Sequence, residues 1–152
     1  MARLSYRLGF GVFSNRLTME NKIDLWVLDG DRISHLLFRS LLALSQASQR
    51  SVGELRFFLS AEELKTSYSE VKSTDRIVMV IEVFSSQEDR WDILQTLSEY
   101  ANRPFVAILT TFTTSEDFEK LSRFPCVKRI FFKPLLLRSL EDLIAEAMRS
   151  AR

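Results

Sequence analysis

A chain of 152 residues with 46% hydrophobic and 27% charged residues has the composition of an ordinary globular protein, and as one domain it should bury about 70% of its unfolded surface. Lys+Arg 21 against Asp+Glu 20 leaves a formal charge of +1, which excludes a global field for nucleic acid or anionic lipid. One Cys and one His exclude an internal disulfide and a Cys/His metal site, no run reaches the roughly 18 apolar residues of a spanning helix, and a reducing, cytoplasmic setting fits best.

Met1 to Thr18 carry Arg3, Arg7 and Arg16 and no acid, a profile that suits a targeting peptide, a non-native remnant or an ordered extension packed on the domain. Residues 1–21 are therefore read as an N-terminal extension and 22–152 as the domain. Gly9-Phe10-Gly11 follows no strand and carries no nucleotide claim.

From Lys22 onward, short apolar strands alternate with amphipathic segments. Ile23 to Leu28 is a first strand, and Ile33, Leu36, Leu37, Leu41 and Leu44 then recur at helical spacing as far as Ser45. Leu55 to Leu59 is a second strand. Ser60-Ala61-Glu62-Glu63 reads as a capping box, opening a short helix to about Val71. Ile77 to Val83 is rich in β-branched residues and apolar on both faces, as a central strand covered by helices on both sides must be.

Ser85-Ser86-Gln87-Glu88 supplies another cap for a helix with an apolar stripe of Trp91, Ile93, Leu94, Leu97 and Tyr100, stopped by Pro104. Phe105 to Leu109 is a fourth strand, and Ser115 to Arg123 a short helix running from acidic to basic. Val127 to Phe132 is a fifth strand, and Leu136 to about Arg149 the last helix. Five strands and five helices in strict alternation predict an α/β fold, an open parallel sheet doubly wound by helices on both faces.

Sites in such sheets lie at the carboxyl ends of the strands. There the sequence places Asp29-Gly30-Asp31, then Glu82, then Thr110-Thr111, then Lys133-Pro134. An acidic cluster, a lone carboxyl, a hydroxyl and a lysine are the polar parts of a phosphate-switch pocket. In these residues and their spacing, the chain resembles the receiver domain of bacterial two-component response regulators over roughly Lys22 to Arg149. The resemblance implies a flavodoxin-like sheet of strand order 2-1-3-4-5. It implies a magnesium-holding acidic pair at Asp29 and Gly30 with Asp31 beside them, a phosphoacceptor position at Glu82, a hydroxyl at Thr110 and a closing motif of Lys133 and Pro134. Asp89 falls where many members keep a further acid.

Three departures from the family pattern shape the expectation. Gly30 removes a carboxylate from the magnesium pair, and a small hard cation loses affinity with each anionic ligand lost. Glu82 in place of Asp moves the carboxyl outward by one bond, about 1.5 Å, into the space of a phosphoryl group. Ile130 stands where the family keeps its switch aromatic. Phosphoryl transfer depends on positioning and charge neutralisation, so these changes predict a degenerate pseudo-receiver, not an enzyme, with no cofactor. In it a Glu82 carboxylate paired with Lys133 imitates a phosphorylated acceptor.

The expected function is signalling through protein–protein contact, independent of phosphorylation. Its partner would be a histidine kinase, a regulator or a second copy in a homodimer. The alternatives are a functional phosphoacceptor receiver of a response regulator or hybrid kinase, for which alone magnesium is expected, and a small flavodoxin-like enzyme or ligand-binding domain. Between Leu121 and Leu140, Arg123, Lys128, Arg129, Lys133 and Arg138 occur with no acid among Phe124, Phe131, Phe132 and Leu135-Leu136-Leu137. On the receiver template Arg123, Lys128, Arg129, Phe131, Leu136 and Arg138 form an interface. Neither a membrane nor nucleic acid is an expected partner. His35 reads as a solvated or satisfied helix residue and Cys126 as a small packed one.

Overall fold

The computed structural model describes residues 22–72, 76–84, 87–111 and 114–150, and the backbone alone of 4–7. Among the described residues, six strands form one sheet: β1 (Leu4–Arg7), β2 (Ile23–Leu28), β3 (Val52–Phe58), β4 (Ile77–Glu82), β5 (Phe105–Thr110) and β6 (Val127–Phe132). Their order is β1-β3-β2-β4-β5-β6. The five strands from β2 onward are mutually parallel and, counted from β2, run 2-1-3-4-5, as expected of a flavodoxin-like sheet.

Two elements were not expected. Leu4–Arg7 pairs antiparallel with β3, Leu4 opposite Phe57 and Arg7 opposite Glu54, so part of the N-terminal extension belongs to the sheet. Four residues are too short a run to show the period of a strand. The second addition is a sixth helix. The helices are α1 (Arg32–Leu44), α2 (Gln46–Ser51), α3 (Ala61–Ser69), α4 (Glu88–Glu99), α5 (Ser115–Ser122) and α6 (Leu137–Ser150). Polar α2 has no apolar period to betray it. It starts because Ser45, just past α1, accepts the Ser48 N–H at 3.1 Å.

Alternate residues of the central strand face opposite cores. Ile77, Met79 and Ile81 of β4 join Trp26, Phe58, Leu64, Leu94 and Leu121 on the side of α3, α4 and α5. Val78 and Val80 join Leu25, Val27, Leu55, Phe38, Leu42, Leu140 and Ile144 on the side of α1 and α6. Every residue of β4 is buried, so no solvated face constrains its polar terminus except at the carboxyl end, where Glu82 stands. Edge strand β6, by contrast, has no fully buried residue.

The caps explain where the helices begin. Asp31, Ser60 and Thr114 accept N–H groups of Ile33, Glu63 and Asp117 at 2.9, 3.3 and 3.1 Å. The cap expected before α4 differs: Ser85 and Ser86 lie outside the described residues, and Gln87 Oε1 accepts the Phe84 N–H at 3.1 Å instead of capping the helix.

The buried face of α1 also differs from the expected stripe. His35, Phe38 and Leu42 point inward, whereas Ile33, Leu36 and Leu44 are 74%, 59% and 71% exposed and Leu37 is exposed as well. Leucine is so frequent in this helix that two faces carry an apolar period, and the turn set by the Asp31 cap decides which one meets the sheet. No helix among the described residues is long and apolar enough to cross a membrane.

Candidate functional site

Each parallel strand from β2 onward, β3 excepted, delivers one polar residue to the carboxyl rim of the sheet. Asp29 follows β2 directly; its N–H donates to the Phe58 carbonyl at 3.1 Å, which keeps the residue in line with the sheet edge. Glu82 closes β4 and Thr110 closes β5, while Lys133 follows β6 and donates its N–H to the Thr110 carbonyl at 2.7 Å. The Lys133–Pro134 peptide is cis. Val83 donates to the Leu109 carbonyl at 3.1 Å, so the rim around Glu82 is tied as well.

The two carboxylates converge on one ammonium. Lys133 Nζ lies 3.1 Å from Asp29 Oδ2 and forms an ion pair with Glu82 Oε2. Asp29 and Glu82 are buried, and the lysine side chain is mostly so. Asp29 Oδ1 takes the Asp31 N–H at 2.8 Å. Thr110 is buried beside them at the end of β5.

The electrostatics follow from this crowding. Burial opposes ionisation of Asp29, but the Asp31 N–H and hydrogen bonds from Glu82 and Lys133 prevail and hold its carboxyl below the usual range. Glu82 moves the other way: burial first, with the Asp29 charge adding to it, outweighs the hydrogen bond from Lys133 and pushes its carboxyl up. Burial alone would lower Lys133, yet its bonds to Glu82 and Asp29 keep the ammonium above its ordinary value.

Several expected members stand elsewhere. The Asp31 carboxylate caps α1 and makes no ion pair among the described residues, so it does not replace the carboxylate missing at Gly30. Gly30 is exposed, and a Cβ built there would meet nothing within 4 Å. Asp89, in the first turn of α4, faces solvent and pairs with Arg90 Nη1 at 2.9 Å. Ile130 is half-buried and packs on the core beneath α4 and α5, away from the ammonium.

Two residues near the site were not foreseen in these roles. Arg90 is 3% exposed and donates from Nε to the Glu82 carbonyl at 3.1 Å, so it holds the backbone under the key carboxylate. Nothing in its sequence neighbourhood separates it from a solvated helix charge. His35 is buried, stacked on Phe57 with ring centroids 4.5 Å apart, and bonds through Nε2 to the Asp29 carbonyl at 2.8 Å. It is a satisfied helix histidine, as read, and it supports the loop that carries Asp29. Cys126 is fully buried and accepts a hydrogen bond from Ser98 Oγ at 3.2 Å, and burial pushes its thiol up, as suits a packed residue.

The expected interface residues differ in exposure. Arg123, Lys128, Arg129, Leu136 and Arg138 are exposed and Phe131 is half-buried, and Phe118 and Phe132 add exposed rings. Arg123 pairs with Glu119 at 3.1 Å and Arg129 with Glu146 at 3.4 Å, so two of the charges are partly balanced within the chain.

The fold is that of the receiver domains of response regulators. A response regulator from Thermotoga maritima superposes with a TM-score of 0.68 over 84% of this chain and 98% of its own, at 16% identity. The signal receiver domain of an HD domain-containing protein from Pseudomonas fluorescens Pf-5 gives 0.69 over 86% and 97%, at 13% identity. A Burkholderia pseudomallei protein provisionally linked to pilus assembly gives 0.68 over 86% and 92%, at 16% identity. No protein-family model and no curated protein matches the sequence.

Proposed function

We propose that the chain is a pseudo-receiver, a signalling module that works by protein contact without accepting phosphate. The observation that carries this reading is the Lys133 ammonium held between Glu82 and Asp29. In a phosphate switch, the lysine is the counter-charge that an added phosphoryl group recruits. Here a side chain of the protein already engages it, at the end of a strand buried on both faces.

The same geometry disfavours magnesium. An octahedral cation at about 2.0–2.1 Å needs several oxygens facing one open position. Asp29 and Glu82 are the carboxylates available, both face the lysine, and Gly30 offers no side chain. Phosphoryl transfer at this pocket therefore lacks its electrophile, and the proposed role is non-enzymatic and cofactor-free.

Partner contact has two candidate surfaces. One is the side bearing Lys128, Arg129, Phe132, Leu136 and Arg138; the other is the exposed Ile33, Leu36, Leu37 and Leu44 stripe of α1. Scattered apolar residues are normal on a surface, but four large ones along a single helix make a continuous patch. A histidine kinase, another regulator or a second copy of the chain fits the first surface, and homodimerisation there is the arrangement we propose.

Incubation with acetyl phosphate and magnesium, followed by intact-mass measurement, tests the reading. The expected result is an unchanged mass. A stable added phosphoryl group on Glu82 or Asp89 overturns it. Sedimentation of the wild type and of Leu136→Asp tests the dimer, which the variant should dissociate.

A further inference from the structure

At the opposite end of the sheet from the acidic rim lies an open cleft of about 630 Å³. Its walls carry one cation from the start of each of three neighbouring strands. Arg76 precedes β4, Arg103 precedes β5, and Lys128 is the second residue of β6. The register places Val78 beside Phe105 and Val106 beside Val127, so these three starts lie side by side. Adjacent strands are about 4.8 Å apart, so the three strand starts lie within about two strand spacings of one another along the cleft.

The cleft is built for more than solvated charge. Ile23, Val78, Phe105 and Ala147, all in the core on the α6 side of the sheet, give it an apolar floor. Arg103 is anchored through Nε to the Ser98 carbonyl at 2.8 Å, which fixes its guanidinium at the wall. Glu146, the carboxylate in the lining, is taken by Arg129 at 3.4 Å. A concave site of this size with an apolar floor and convergent polar groups is within the range that holds a nucleotide-sized ligand. Guanidinium groups are the side chains best matched to phosphate oxygens.

We propose that this cleft binds a small phosphorylated ligand, its phosphate held by Arg76, Arg103 and Lys128 and its planar or apolar body lying on Val78 and Phe105. The ligand would leave the Asp29–Glu82–Lys133 rim untouched, since that rim is at the other ends of the same strands. The site is thus independent of the acidic rim, while Lys128 is shared with the surface proposed for the dimer.

The test uses the full chain and three probes: adenosine monophosphate, adenosine and inorganic phosphate, followed by amide chemical shifts in ¹H–¹⁵N spectra and by calorimetry. The nucleotide should give saturable shifts at Asn102, Arg103, Phe105 and Lys128, with none at Asp29 or Glu82. Inorganic phosphate should compete for the same amides, and adenosine should not bind. Arg103→Ala and Lys128→Ala should each weaken nucleotide binding by about tenfold or more, as expected for loss of a charge-assisted contact. Lys65→Ala, an exposed lysine of α3 outside the cleft, should not change it. Absence of saturable shifts with both nucleotide and phosphate overturns the proposal. So do shifts centred on Asp29 and Glu82, or equal weakening by Lys65→Ala.

Discussion

Arg90 Nε lies 3.1 Å from the carbonyl oxygen of Glu82, and the arginine is almost wholly buried while its Nη1 reaches out to Asp89. A guanidinium therefore fixes the main chain from which the central carboxylate projects. Arg90→Met keeps much of the stem but removes the donor. It should cost about 1.5–3 kcal/mol in urea denaturation, the range for a hydrogen bond from a charged group. A variant as stable as the wild type would show that the contact only accompanies the fold.

Lys133 is the counter-charge for two buried carboxylates. Lys133→Met should destabilise the protein by on the order of 3 kcal/mol at neutral pH, because the remaining carboxylates are left unpaired and repel one another. In the double variant Lys133→Met with Glu82→Gln, most of that loss should return. Additive losses in the double-mutant cycle would rule out coupling between the two residues.

The opposed shifts of the two carboxyls predict opposed pH effects. Glu82 binds its proton more tightly when folded, so its contribution is greatest below its ordinary value of 4.5 and declines as pH rises through its folded value. Asp29 binds its proton less tightly when folded, so its contribution is present above 3.8 and is lost as pH falls through its lowered value. In thermal melts across pH, the stability of the wild type relative to Glu82→Gln should fall as pH rises above 4.5. Relative to Asp29→Asn, the wild type should lose stability on acidification below 3.8. Parallel curves for wild type and both variants would contradict these assignments.

Position 30 has room for the carboxylate it lacks, since a Cβ there meets nothing within 4 Å. The double variant Gly30→Asp with Glu82→Asp should gain magnesium binding, read by calorimetry. It should also gain a phosphoryl group from acetyl phosphate, while Gly30→Asp alone should gain neither, because Glu82 still holds the lysine. Phosphorylation of the single variant would shift the defect from position 82 to position 30.

On α1, Phe38→Ala and Leu42→Ala should each cost about 2–5 kcal/mol, whereas Leu36→Gln and Leu44→Gln should stay within about 0.5 kcal/mol. Reversal of that order would mean that the other face of the helix meets the sheet.

That helix also marks the limit of what the sequence discloses. The five parallel strands and their helices were legible because β4 and its neighbours are short apolar runs between capped helices, and the strand ends carry the polar residues in plain view. The choice of face on α1 was not legible, because both faces are leucine-rich and only the turn at Asp31 breaks the tie. Strand β1 and helix α2 are each too short to show a period. At the site, Asp29, Glu82 and Lys133 were found from their places at strand ends, and their meeting confirms that reading of the sheet. Arg90 was missed because a buried arginine has the same letter as a solvated one.

Three main-chain bonds already described, Asp29 to Phe58, Val83 to Leu109 and Lys133 to Thr110, stitch the loops of the carboxyl rim to the strand next door. Loops so fastened cannot loosen one at a time. Any partner that reshapes this end of the molecule must shift it as a plate, and the amides at 29, 83 and 133 should exchange with solvent in concert rather than separately.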